Sequence, residues 1–124
     1  MKYQQLIDEL IESLEQYKSL IIQLNALDYN ASEVDDEQQR QMLNESKKNI
    51  ENYLNGLWSE LTQDYNESFE KYLGEVLAKS KSLKDKYSDD PITVIQIEES
   101  INALESAKEP ADYFWPLSVL IGYF

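Results

Sequence analysis

Neither cysteine nor histidine occurs among the 124 residues. Their absence removes disulfides, thiolate and imidazole metal sites, and Ser-His or Cys-His catalysis. Glycine and proline are scarce, at three each. β-Structure needs turn residues at short intervals, and phosphate-cradling loops need clustered glycine, whereas Gly56, Gly74 and Gly122 stand alone. Basic residues are few: eleven Lys and Arg against twenty-four Asp and Glu give a formal charge of −13. Such a surface repels a phosphate backbone or an anionic membrane and attracts a basic protein. No apolar run reaches the ~20 residues that span a bilayer, and Met1–Leu10 lacks the basic and apolar regions of an export signal. A cytoplasmic setting is therefore expected.

What is present is a helix-forming composition. Hydrophobic residues make up 42% of the chain, and Leu, Glu, Gln, Lys and Ala lose little on entering a helix. Tyr3, Ile7, Leu10, Leu14, Tyr17, Ile21 and Leu24 recur at alternating steps of four and three, which predicts an amphipathic helix over 3–27. Leu6, Ile11, Leu20 and Leu27 widen its apolar face. Asp28, Asn30 and Ser32 then read as a turn, with Ser32 or Asp35 capping the next helix.

A second apolar series runs over 33–87, from Leu43 through Leu54, Leu61 and Phe69 to Tyr87. A helix of that length would extend ~80 Å, too long for a small compact domain, so a break is expected at Asn55–Gly56 or at Asp64–Asn66. The alternative is one long helix that protrudes or dimerises. Asp89-Asp90-Pro91 is a helix start, with Asp as cap and Pro in the first turn. It opens a shorter helix to about Ala107, and Lys108-Glu109-Pro110 marks the next boundary. Residues 111–124 are rich in aromatics and read as a buried plug or, alternatively, as an oligomer or partner contact, with Pro116 interrupting any helix before a short stretch over Pro116–Ile121. The fold expected is all-α: one domain over 1–124, a bundle of about four to five antiparallel helices.

Few constellations carry chemistry. Asp28-x-Asn30-x-Ser32 imitates the opening of a calcium loop, but Glu33 stands where the turning glycine belongs and Gln39 where the bidentate glutamate belongs. Glu98 and Glu99 are adjacent on a helix and cannot face each other as an acid/base pair. Lys79, Lys81, Lys84 and Lys86 suit the C-terminal end of a helix dipole. No catalytic residue, cofactor or metal site is assigned, and no enzyme is expected.

The remaining signals point to binding. Glu60, Asp64 and Glu67 fall at i, i+4 and i+7, with Lys71 placed to pair with Glu67. Together with Glu12 and Glu15 they form candidate docking rows for a basic partner, and Trp58 or Tyr65 would supply an apolar anchor if exposed. Trp58, Phe69 and Tyr72 also fit a core seam at helical spacing. Small, acidic, cysteine-free helical proteins include bacteriocin and toxin immunity proteins; that likeness is one of composition and rests on no motif. The expectation is a non-enzymatic inhibitor or immunity-type module that covers a basic protein. The alternative is an assembly subunit or helical adaptor, a homodimer included, paired through its apolar stripes.

Overall fold

The computed structural model describes residues 2–29 and 37–124. They form five helices: α1 (Lys2–Tyr29), α2 (Glu37–Asp64), α3 (Asn66–Lys86), α4 (Pro91–Ser106) and α5 (Pro110–Ile121). No strand occurs among the described residues. The chain is thus an all-α bundle. α1 continues two residues beyond its expected end at Leu27. The turn and cap expected at Asn30, Ser32 and Asp35, and most of the calcium-like loop, lie outside the described residues.

Local chemistry explains the boundaries. α2 and α3 meet at Tyr65, whose backbone (φ −135°, ψ 34°) leaves the helical region. Asp64 and Asn66 flank it, and such side chains compete for backbone hydrogen bonds. One turn earlier the Thr62 hydroxyl donates to the carbonyls of Trp58 (2.9 Å) and Ser59 (3.1 Å), a bonding mode that bends helices. Asn55–Gly56 lies within α2 without a break. α4 begins as expected: the Asp90 carboxylate accepts from the Thr93 backbone N–H (3.3 Å) and hydroxyl (2.6 Å), with Pro91 in the first turn. At α5 the Asp112 carboxylate reaches back to the backbone N–H of Glu109 at 3.1 Å.

α5 corrects one expectation. It runs unbroken from Pro110 to Ile121 with Pro116 inside it. Pro116 removes one backbone donor, costing about 3 kcal/mol in a helix interior. Phe114, Leu117 and Leu120 are fully enclosed, and each buried side chain of this kind contributes about 1.5–3 kcal/mol, so packing outweighs the lost bond.

α1 and α2 lie antiparallel, as Lys2 against Glu60 and Glu9 against Tyr53 indicate. α3 and α4 do likewise, with Lys84 against Glu98. α5 packs on each of the other four helices and is the centre of the bundle. Trp58 binds the layers together: its ring lies 4.7 Å from Phe69, 4.7 Å from Tyr113 and 6.1 Å from Phe114. Tyr17 meets Phe114 edge-on at 6.0 Å. The contacts of Trp58 with Phe69 and Phe114 and of Tyr17 with Phe114 add to area burial because ring edges meet ring faces.

The core is confined to one part of the α1–α2 hairpin. From α1 it takes residues between Tyr3 and Ile21, and from α2 residues between Ile50 and Leu61. Among the described side chains, those of residues 22–27 and 37–49 add nothing to it. Residues 22–29 and 37–49 form an arm of two helices beyond the bundle, with Ile22 (53% exposed) and Met42 (63% exposed) open to solvent.

Candidate functional site

Two separate acidic places emerge from the residues singled out above. The first is the corner where α1 starts and α2 turns into α3. Glu60 binds the Lys2 ammonium at 2.8 Å, and this pairing raises the lysine pKa above its ordinary value. Asp64 closes α2 and Glu67 lies in the first turn of α3. Tyr65 is half-buried, its ring 5.3 Å from Tyr3, while the Tyr3 hydroxyl donates to the Ser68 carbonyl at 3.0 Å. Glu60 and Asp64 belong to α2 and Glu67 to α3, on either side of the non-helical Tyr65. The Lys71–Glu67 ion pair is absent among the described residues.

Glu12 and Glu15 lie elsewhere, about 15–20 Å along α1 from Lys2 at 1.5 Å per residue. They flank one exposed ridge of that helix. Glu12 borders a shallow recess with Asn49, Ile50 and Tyr53 of α2, and Glu15 borders a cleft toward α3. Trp58 does not serve as an exposed anchor: it is 5% exposed and part of the core.

The cleft beside Glu15 was not visible as a unit in the sequence. Among the described residues the backbones of α1 and α3 do not pack on each other, although both helices border α2 and α5. Near Tyr3 the gap is bridged by side chains. Farther along it opens, first into about 450 Å³ between Ile7 and Tyr72, then into about 770 Å³. The wider part is lined by Ile11, Tyr72, Val76, Ala78, Ile121 and Phe124, with Glu15, Glu75 and Lys79 at its edges. Lys79 places its ammonium 5.0 Å from the centre of the Phe124 ring. Tyr72 is pushed up to about 12 by burial, reinforced by Tyr3, so its phenol stays protonated at neutral pH. The one available signal was the breadth of the α1 stripe: Ile11 lies at the edge of a face wider than one neighbouring helix covers.

No group of three or more acids is placed to hold a metal ion among the described residues. The basic run of α3 is dispersed, with Lys84 3.9 Å from Glu98 and Lys86 over the Tyr87 ring. No described helix is long and apolar enough to cross a membrane. No family model, curated protein or solved structure matches the chain.

Proposed function

We propose that this chain is a non-catalytic binding module whose carboxylates attract and cover a basic protein, in the manner of an inhibitor or immunity-type protein. The observation that carries this reading is the surplus of exposed, unneutralised acid. Glu12, Glu15, Asp64 and Glu67 are all exposed, and the ion pairs between described residues engage Glu60, Glu51 and Glu98 instead. A net charge of −13 exceeds the magnitude of about 2–8 that suffices for solubility. Held on rigid helices, these carboxylates attract a cationic surface at long range and speed its approach.

The test begins with a basic protein captured from the native host at low salt, purified, and mixed with this chain in stopped flow. Association slows by about tenfold or more from low to high salt if exposed carboxylates steer it. Charge-neutral variants Asp64→Gln and Glu67→Gln lower the rate further at low salt than at high salt. An association indifferent to salt overturns the proposal.

A second reading, the assembly subunit, is favoured by the uncovered Ile22 and Met42 on the arm. It calls for a molecular mass that rises with concentration, and a constant monomer removes it.

A further inference from the structure

The cleft between α1 and α3 is a pocket closed at one end. Its narrow part stops where the Tyr3 hydroxyl donates to the Ser68 carbonyl at 3.0 Å. Its wide part has largely apolar walls: Ile11 of α1, Val76 and Ala78 of α3, Ile121 of α5 and the following Phe124. Phe124 is 49% exposed, and apolar surface of this kind gains by leaving water. The wide part encloses about 770 Å³, within the range of about 300–1,000 Å³ usual for small-molecule sites.

The charges around the cleft cancel. Glu15 and Glu75 bring two negative charges, Lys71 and Lys79 two positive ones. On a chain of net charge −13 this is a locally neutral place. A cation and an anion each meet like charge there, and each also loses hydration against the apolar walls. An uncharged molecule meets neither cost. Tyr72 adds a polar handle. It is half-buried, borders both parts of the cleft and stacks on Phe69 at 6.2 Å. Its hydroxyl makes no hydrogen bond with another described residue. Burial keeps the phenol protonated at neutral pH, so it is a donor. A donor set among apolar side chains favours a ligand that carries an acceptor.

We infer that the α1–α3 cleft binds one uncharged, largely apolar small molecule, with its body against Ile11, Val76 and Phe124 and a hydrogen-bond acceptor on the Tyr72 hydroxyl. This goes beyond the binding-module reading and does not depend on it. A partner helix is a poorer occupant, because the bridge from Tyr3 to Ser68 stops it at one end and the cancelled charges give its orientation no guide. A second copy of this chain is poorer still, since its own −13 finds no compensating charge there.

Four naphthalene probes of similar size separate the ligand classes. Methyl naphthyl ketone is uncharged and has an acceptor; ethylnaphthalene is uncharged and has none; naphthoate is an anion; naphthylmethylammonium is a cation. Binding to the full chain is read by amide chemical-shift titration. The ketone binds about tenfold or more tighter than either charged probe, and its shifts gather at Ile11, Val76 and Phe124. It also binds about three- to tenfold tighter than ethylnaphthalene. Tyr72→Phe abolishes that second advantage and leaves ethylnaphthalene binding as it was.

Tightest binding by a charged probe overturns the inference, and so does a ketone advantage that survives Tyr72→Phe. Shifts scattered over the surface, or no binding by any probe up to its solubility, do the same. Cleft resonances that move with protein concentration in the absence of probe place a second copy there and overturn it too. None of these outcomes bears on the salt dependence by which the basic-partner reading stands or falls.

Discussion

The bundle and the arm are built from the same two helices, and they differ in what surrounds them. In the bundle, α1 and α2 meet α5, and Leu10, Leu14, Leu54 and Leu61 are fully enclosed. In the arm, over 22–29 and 37–49, each helix has the other as its neighbour, and Leu24, Leu27 and Leu43 remain half-buried. The apolar spacing of α1 does not change between the two parts: Ile21 and Leu24 continue the rhythm of Leu10 and Leu14. Periodicity therefore dictates that a helix forms and which side is greasy. It does not dictate whether that side is covered. Coverage comes from a distant segment, here α5, and most helical stability in proteins comes from such tertiary packing.

The sharpest way to break this comparison is to cut the same side chain in both parts. Leu117→Ala, in the fully enclosed centre of α5, costs about 2–5 kcal/mol through lost transfer energy and a residual cavity. Leu24→Ala, in the arm, leaves no closed cavity and costs about 1 kcal/mol or less. Urea unfolding of both variants against the parent measures the difference. Equal losses mean that the arm is covered in solution, and the assembly reading then gains over the one proposed.

Hydrogen exchange sharpens the same contrast without mutation. Amides of the arm open locally, because few apolar contacts hold them, whereas amides near Leu57, Leu104 and Leu117 open only with global unfolding. Exchange over residues 39–48 is thus expected to be orders of magnitude faster than in α5. Uniform protection across α2 removes the distinction between the two parts.

Much of the architecture is legible in the sequence, for reasons that differ by residue. Asp90-Pro91 announced its helix because a cap and a fixed φ act within four residues. Local competition for hydrogen bonds at Asp64 and Asn66 likewise marked the α2–α3 bend, although Gly56 offered a rival. Pro116 misled, since its local cost is real but is exceeded by the burial of Phe114, Leu117 and Leu120, which no local rule registers. The acidic row Glu60–Asp64–Glu67 crosses the α2–α3 junction at Tyr65, which an i, i+7 count along one helix does not register. The cleft was hidden because it is a gap between helices distant in sequence, lined by residues such as Tyr72 and Val76 that read as ordinary core.

Alkaline pH separates the parts by a smaller amount. Burial raises the folded-state pKa of Tyr72 to about 12, and those of Tyr3, Tyr17 and Tyr123 upward as well, all on the bundle side. In the unfolded chain these phenols ionise near the ordinary value of about 10. The folded state then holds more protons than the unfolded state between these values. Stability is full below about pH 10 and falls as pH rises toward 12. Tyr72→Phe removes the largest single part of that slope. Urea midpoints of parent and variant as a function of pH measure it, and parallel curves mean that Tyr72 ionises as freely folded as unfolded.

The smallest expected effect concerns positions where neither core nor cleft is involved. Gly56 and Gly74 lie inside α2 and α3, exposed, and a Cβ at either meets nothing within 4 Å. Alanine there restricts the unfolded chain and fits the helix without strain, so Gly56→Ala and Gly74→Ala each stabilise by about 0.5–1 kcal/mol. Gly122 is different in kind. A Cβ on it would lie 2.7 Å from the Lys18 ammonium and 3.3 Å from the Val119 carbonyl. The lysine swings aside readily, the carbonyl less so, and Gly122→Ala therefore gains nothing. Two gains and one null in thermal melts would show that the exposed faces of α2 and α3 follow helix propensity, whereas the position after α5 is governed by the groups packed around it.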